Sequence, residues 1–196
     1  MTGLRERTKA AVRAEVTEAA MRLFAERGYD ETTVDDIARA AGMSKRSFFR
    51  YFPVKEDVVL GRVDLMGERI AGEIAARPEG EDVWDTLHAV LRGWEQRIDA
   101  ERQTLDGLRL IEATPALRAR FMQKREETRT LITGALLARP GHGLDAFTAD
   151  LVTAAAGAAL DGVSRAWAEA DGQADRLALV DRAFALLRPA CLPPPH

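Results

Sequence analysis

Along the chain, apolar positions recur at helical spacing almost everywhere, and runs of alternating character that would mark strands are missing. Val12, Val16, Ala20, Leu23 and Phe24 define one stripe and predict a helix over 9–27, ended by Gly28. Val34, Ile37, Ala38 and Ala41 give a second, short stripe behind Thr33, a good N-cap with Asp36 three residues on. Gly42 suits a turn, Ser44 a second N-cap, and Phe48 and Phe52 share one face of a third helix over 45–52. Pro53 stops it. A fourth helix is predicted from 54 to 77 on Val59, Val63, Met66, Ile70 and Ile74. Further helices follow over 82–100, 104–113, 115–139, 145–170 and 173–187, with Asp82, Thr114-Pro115 and Asp145 as start signals. The expectation is an all-α chain of about nine helices, with a domain at 1–53 and a larger helical one at 54–196. Residues 140–143 are expected in a loop, and Pro189 and the prolines at 193–195 are expected to end regular structure.

The second and third helices have the layout of a helix-turn-helix whose second helix enters a DNA major groove. Its inward face carries the two phenylalanines, and its other face carries Lys45, Arg46, Phe49 and Arg50, flanked by Tyr51. From Ser44 to Lys55 there are four basic residues and no acid. Arginine and lysine offer donors to guanine edges or phosphates, and Ser44 sets a hydroxyl at a helix N-terminus. The competing reading, a solvated basic face on an ordinary helix pair, leaves the turn glycine, both caps and the inward rings unexplained. Thr33, Ser44, Lys45, Arg46, Ser47, Phe49, Arg50, Tyr51 and Lys55 are the DNA-contact candidates. The basic residues of the first thirteen positions could also reach phosphates.

These residues identify a family. The words Ala20-Met21-Arg22-Leu23-Phe24-Ala25-Glu26-Arg27-Gly28-Tyr29, Thr32-Thr33-Val34, Ile37-Ala38, Ala41-Gly42-Met43-Ser44, Phe48, Arg50-Tyr51-Phe52 and Lys55-Glu56-Asp57 resemble the DNA-binding domain of TetR-family bacterial repressors. Phe48 is bulkier than the small aliphatic or leucine usual there. The resemblance implies a homodimer built on the last two long helices, a near-palindromic operator, and a small-molecule effector bound in the larger domain. It also implies that Lys55 meets the phosphate backbone and that the fourth helix relays events to the DNA-binding end. Ala155, Ala158 and Gly162 offer a close-approach surface, and Val180 and Phe184 an apolar stripe, for that dimer; burial within one chain explains the same pattern. Later words, among them Leu110-Ile111-Glu112-Ala113-Thr114-Pro115 and Ala183-Phe184-Ala185-Leu186-Leu187, resemble the subgroup with an acyl-CoA-like ligand domain. Met66, Trp84, His88, Trp94, Leu108, Arg109, Glu112 and Phe121 are the effector-pocket candidates, each with plain core packing or surface pairing as the alternative.

Composition alters little. The 196 residues carry a net charge of −3, which does not announce nucleic-acid binding. Residues 1–60 hold eleven Lys/Arg against ten Asp/Glu and the remainder seventeen against twenty-one, so the basic tip stands out from an acidic body. Cys191 is the only cysteine, so no internal disulfide forms, as suits a reducing cytoplasm; a thiol-sensing role lacks a resolving partner. The N-terminus lacks a signal-peptide core, and no stretch nears 18 uninterrupted apolar residues. No phosphate loop, nucleophile elbow or metal-ligand spacing occurs, which argues against an enzyme, a cofactor or a bound metal. The alternative to a DNA-binding regulator is a helical interaction module that acts without DNA.

Overall fold

The computed structural model describes residues 4–60, 63–99, 104–140 and 143–191. Residues 141–142 of the expected loop and the prolines at 193–195 lie outside these residues. Ten helices are described and no strand among them: α1 (Leu4–Arg27), α2 (Val34–Ala40), α3 (Lys45–Tyr51), α4 (Asp57–Leu60), α5 (Val63–Ala75), α6 (Val83–Asp99), α7 (Thr104–Ala113), α8 (Pro115–Ala138), α9 (Ala146–Glu169) and α10 (Arg176–Cys191). The tenth arises because the expected fourth helix is described in two stretches, α4 and α5. α1 starts at Leu4 rather than residue 9, since no breaker stands between them and Leu, Arg, Glu, Lys and Ala all favour helix. α10 runs past the expected end at 187 and through Pro189, the expected stop, to Cys191.

The start and stop signals work as local chemistry dictates. Thr33 accepts from the Asp36 amide while the Asp36 carboxylate accepts from the Thr33 amide, a reciprocal box at the start of α2. Ser44 accepts from the Ser47 amide and opens α3. Asp82 and Asp145 accept from Asp85 and Thr148 amides at α6 and α9. Gly28 and Gly42 both take positive φ, 85° and 66°, where an L side chain would be strained.

The chain divides into two compact units. The first holds 1–64 and 110–121, the second 65–109 and 122–196. The first therefore extends past the expected 53/54 boundary, because Val58 and Leu60 bury in the same core as Val16, Phe24, Ile37, Phe48 and Phe52. Ile111 and Leu117 complete that core from the end of α7 and the start of α8. The second unit is built on Ile70, Ile74, Trp84, Leu87, Leu91, Ile132, Leu136, Val152, Ala156, Val163, Val180 and Phe184. Trp84 anchors it: the indole N–H donates to the Phe184 carbonyl at 2.9 Å and the two rings lie 4.7 Å apart. α9 alone among the described helices is long and apolar enough, by length and composition, to cross a membrane. Seven of its residues are buried in the protein and Asp150, Asp161 and Arg165 interrupt its surface, so core packing accounts for that composition.

Candidate nucleic-acid interface

The seven residues of α3 divide cleanly. Phe48 is fully buried, its ring 5.4 Å from Phe52, and this pair fixes which side of the short helix turns inward. Lys45, Arg46, Phe49 and Arg50 are therefore carried outward, and all four are exposed. Phe49 lies edge-on to Phe48 at 5.6 Å while 44% of its surface stays open, a large apolar side chain displayed among cations. Arg50 rests over the Tyr51 ring at 5.1 Å and donates to its hydroxyl at 3.3 Å, which aligns two polar ends side by side. Arg46 makes no hydrogen bond or ion pair among the described residues. Its guanidinium is open to a planar bidentate acceptor such as a guanine edge or a phosphate.

Lys45 is tied to Asp35 of α2 at 3.0 Å, with both side chains more than half exposed. An exposed pair of this kind contributes about 0–1 kcal/mol, so a phosphate can displace it at little cost. Ser44, Ser47 and Thr33 lie at the two helix starts, and the Thr33 amide and hydroxyl both donate to the Asp36 carboxylate. The Ser44 hydroxyl also donates to the Ser47 hydroxyl at 3.0 Å.

Lys55 departs from the sequence expectation. Its ammonium donates to the Tyr29 carbonyl at 2.8 Å and the Thr32 carbonyl at 3.0 Å, and stands 3.9 Å from the Tyr29 ring centre. Two of its three donors are thus spent on the turn between α1 and α2. Tyr29 in turn donates to Glu56 at 2.8 Å; burial first, then that acceptor, push its hydroxyl well above the ordinary tyrosine range. Lys55 is a brace for the loop ahead of α2 before it is anything else.

Among the described residues, the expected effector candidates have different surroundings. Trp84 is 1% exposed and belongs to the core, so it lines no open space. Met66 and Trp94 pack on the same core from its edge. His88 stacks on Phe184, and its Nε2 lies 2.8 Å from Asp181, which also accepts from Arg92. Arg109 pairs with Asp171 rather than with Glu112, and Leu108 is half-buried. Glu112 and Phe121 fall in the first unit, where Glu112 is exposed and Phe121 packs against the core. Sequence reasoning missed Thr133, whose buried hydroxyl, like the Trp94 indole N–H, has no hydrogen-bond partner among the described residues. Nothing in periodicity distinguishes a satisfied hydroxyl from an orphaned one.

The dimer candidates also sort themselves. Ala158 and Gly162 are exposed and Ala155 is half-buried. Val180 and Phe184 are buried in their own protomer, so the apolar stripe read from α10 is the inward one. The outward face carries Leu186, 70% exposed, and continues on α9 with Phe147 at 76% and Leu151 at 57%. A shallow groove of about 380 Å³ runs between the two helices, lined by Ala158, Gly162, Leu179, Ala183 and Leu186 among others.

Comparison with known proteins agrees with this architecture. The family model described as bacterial regulatory proteins, tetR family, matches residues 16–61, and the MftR C-terminal domain matches 74–191. The regulator TcmR of Streptomyces glaucescens is 33% identical over 150 residues, 73% of this chain and 66% of that protein. The mycofactocin biosynthesis regulator MftR of Mycobacterium tuberculosis is 29% identical over 64% of each chain. The chain thus spans just under two thirds of these relatives. Among solved structures, NalD of Pseudomonas aeruginosa, a secondary repressor of a multidrug efflux pump, superposes with a TM-score of 0.60 at 21% identity, over 92% of this chain and 95% of that one. FadR of Bacillus subtilis in complex with stearoyl-CoA gives 0.57 at 19% identity, over 89% and 96%. Both likenesses concern the fold.

Proposed function

The chain belongs to the TetR family of bacterial regulatory proteins, and we propose that it is a ligand-responsive transcriptional repressor of the cytoplasm that reads duplex DNA with α3. The observation that carries this reading is the two-sided character of α3: a fully buried Phe48 locks one side while Arg46, Phe49 and Arg50 project from the other. In this proposal Arg46 and Arg50 reach base edges, and Phe49 supplies apolar contact of the kind a thymine methyl accepts. Thr33, Ser44, Lys45, Ser47 and Tyr51 meet phosphates and fix the register. The first unit is the DNA-binding part, and the second holds the effector and the dimer contact. The pairing surface is the outward face of α9 and α10, supported by three large apolar side chains left open there and by the small residues Ala158 and Gly162 beside them.

The effector is a small apolar or acyl-CoA-like molecule. The stearoyl-CoA complex of the B. subtilis neighbour motivates this class. The Trp94 N–H and the Thr133 hydroxyl, both buried and without a hydrogen-bond partner among the described residues, are the polar points such a molecule would meet. An effector of this kind releases DNA only through a difference in affinity between the bound and free states of the repressor. Selection of duplexes from random sequence with the full chain, followed by gel shift at low salt, tests the proposal. Enrichment of a near-palindrome is the expected result, and failure to retard any duplex overturns it.

A further inference from the structure

From Ser44 to Lys55 the chain has no acid, yet α2 delivers one carboxylate to the exposed side of this stretch. The two acids in the first turn of α2 are used differently. Asp36 turns back on its own helix start, where it accepts from the Thr33 amide and hydroxyl and from Arg39. Asp35 reaches across the turn instead, and its Oδ2 accepts from the Lys45 ammonium at 3.0 Å, ten residues along the chain. Both side chains of that pair are more than half exposed. Capping does not call for Asp35, because Thr33 and Asp36 already close the box at the start of α2. Among the described residues, Lys45 is the outward cation of α3 that an acid holds: Arg50 rests on Tyr51, and Arg46 makes no such bond.

We propose that Asp35 is a specificity-determining residue of the reader: it masks Lys45 against phosphates of arbitrary sequence and accepts from a cytosine amino group on the right one. This rests on the DNA-binding reading above. Affinity for any duplex comes from phosphates that cations neutralise, so a lysine already neutralised by its own protein adds little to it. The mask costs the free protein little, since an exposed pair of this kind is weak. A phosphate can take Lys45 from so exposed a partner, but the exchange leaves a carboxylate beside a polyanion. On most sequences that carboxylate meets only phosphates and acceptor edges, and an unpaired charge set against the wrong partner is a source of discrimination. In the major groove, cytosine N4 offers a donor that a carboxylate accepts. There Asp35 keeps a partner while Lys45 passes to a phosphate, and the penalty disappears. An acid placed beside the reader thus lowers affinity for duplexes in general and spares the sequence that can satisfy it.

The test compares full-length wild type, Asp35→Asn, Lys45→Gln, the double variant, and Glu18→Gln, which makes the same change of charge at an exposed position of α1. Each is titrated over a range of salt against a duplex that wild type selected from random sequence and against a scrambled duplex of equal length. Asp35→Asn is expected to bind the scrambled duplex about threefold more tightly at low salt. Its slope of log K on log salt should be steeper by about 0.9, the value for one more phosphate neutralised. Its affinity for the selected duplex should not rise, so discrimination falls about threefold, whereas Glu18→Gln should keep wild-type discrimination. In the Lys45→Gln background the same Asp35 substitution is expected to leave the slope unchanged, because no masked lysine remains to release. Selection from random sequence repeated with Asp35→Ala should lose a preference for cytosine at one position of each half-site. Wild-type discrimination in Asp35→Asn, equal tightening on both duplexes, a steeper slope in both backgrounds, or an unaltered selected sequence would overturn the proposal. If wild type selects no sequence at all, the DNA-binding reading itself falls, which is a different result from a selected operator that Asp35→Asn discriminates normally.

Discussion

Arg46 and Lys55 carry the same charge and sit nine positions apart, yet their surroundings differ. Arg46 is exposed with no partner among the described residues, so its replacement by alanine should leave the fold intact. It should cost about 1–3 kcal/mol on the selected operator and much less on random DNA. Binding isotherms on both duplexes check this; equal losses would make Arg46 a phosphate contact instead. Lys55 spends its ammonium on the carbonyls of Tyr29 and Thr32. Lys55→Met should therefore lower stability by about 1.5–3 kcal/mol, the range for hydrogen bonds to a charged group, while leaving the salt slope of DNA binding within error. Denaturant melts and salt titrations separate the two effects. A slope that flattens by one unit would return Lys55 to the phosphate backbone. The sequence shows which residues are basic, but not which are already engaged: the partners of Lys55 lie 23 and 26 residues away, and no spacing rule reaches that far.

Elements were the most legible scale, because their ends are written in local chemistry. Thr33, Gly42, Ser44, Pro115 and Asp145 each act within four residues of themselves, and each marks the helix boundary expected of it. The inward pair on α3 follows from the same short-range geometry. Phe48 is the single side chain on which that helix pivots, so Phe48→Ala should cost roughly 3–5 kcal/mol by opening a cavity in the smaller core. The loss of DNA binding should track the fraction unfolded in a thermal melt; a variant that stays folded yet no longer binds would show that the ring has a direct role. Facing was harder to read. A stripe on α10 announces an apolar side but not what covers it, and Val180 and Phe184 prove to face their own protomer. The effector candidates met the same difficulty. Trp84 and Trp94 share the spacing of a lining, yet the indole N–H of Trp84 is satisfied by the Phe184 carbonyl while that of Trp94 has no partner among the described residues.

At the scale of the whole molecule, the proposed recognition by a dimer depends on having two reader helices, and this places the sharpest demand on the outward face of α9 and α10. Ala158→Arg puts a long charged side chain on a position already exposed in the protomer, so folding of the single chain should be unaffected. If that face is the pairing surface, the arginine and its mate across the two-fold axis are driven together in an apolar groove, and the dimer should dissociate at micromolar concentration. The consequence for DNA follows from effective concentration. In the dimer the second half-site, one helical turn or somewhat more from the first, is met by a tethered reader, and such tethering commonly gains 10²–10⁴ in affinity. A monomer forfeits that gain while each half-site contact stays intact. Ala158→Arg should thus sediment as a monomer, melt at the wild-type temperature when extrapolated to low protein concentration, and bind the full palindrome about 10²–10⁴-fold more weakly, with affinity for an isolated half-site unchanged. A variant that remains dimeric would move the pairing surface elsewhere on the chain. One that is monomeric yet binds the palindrome at full strength would mean that the two readers act independently, in which case the spacing of half-sites would carry no information.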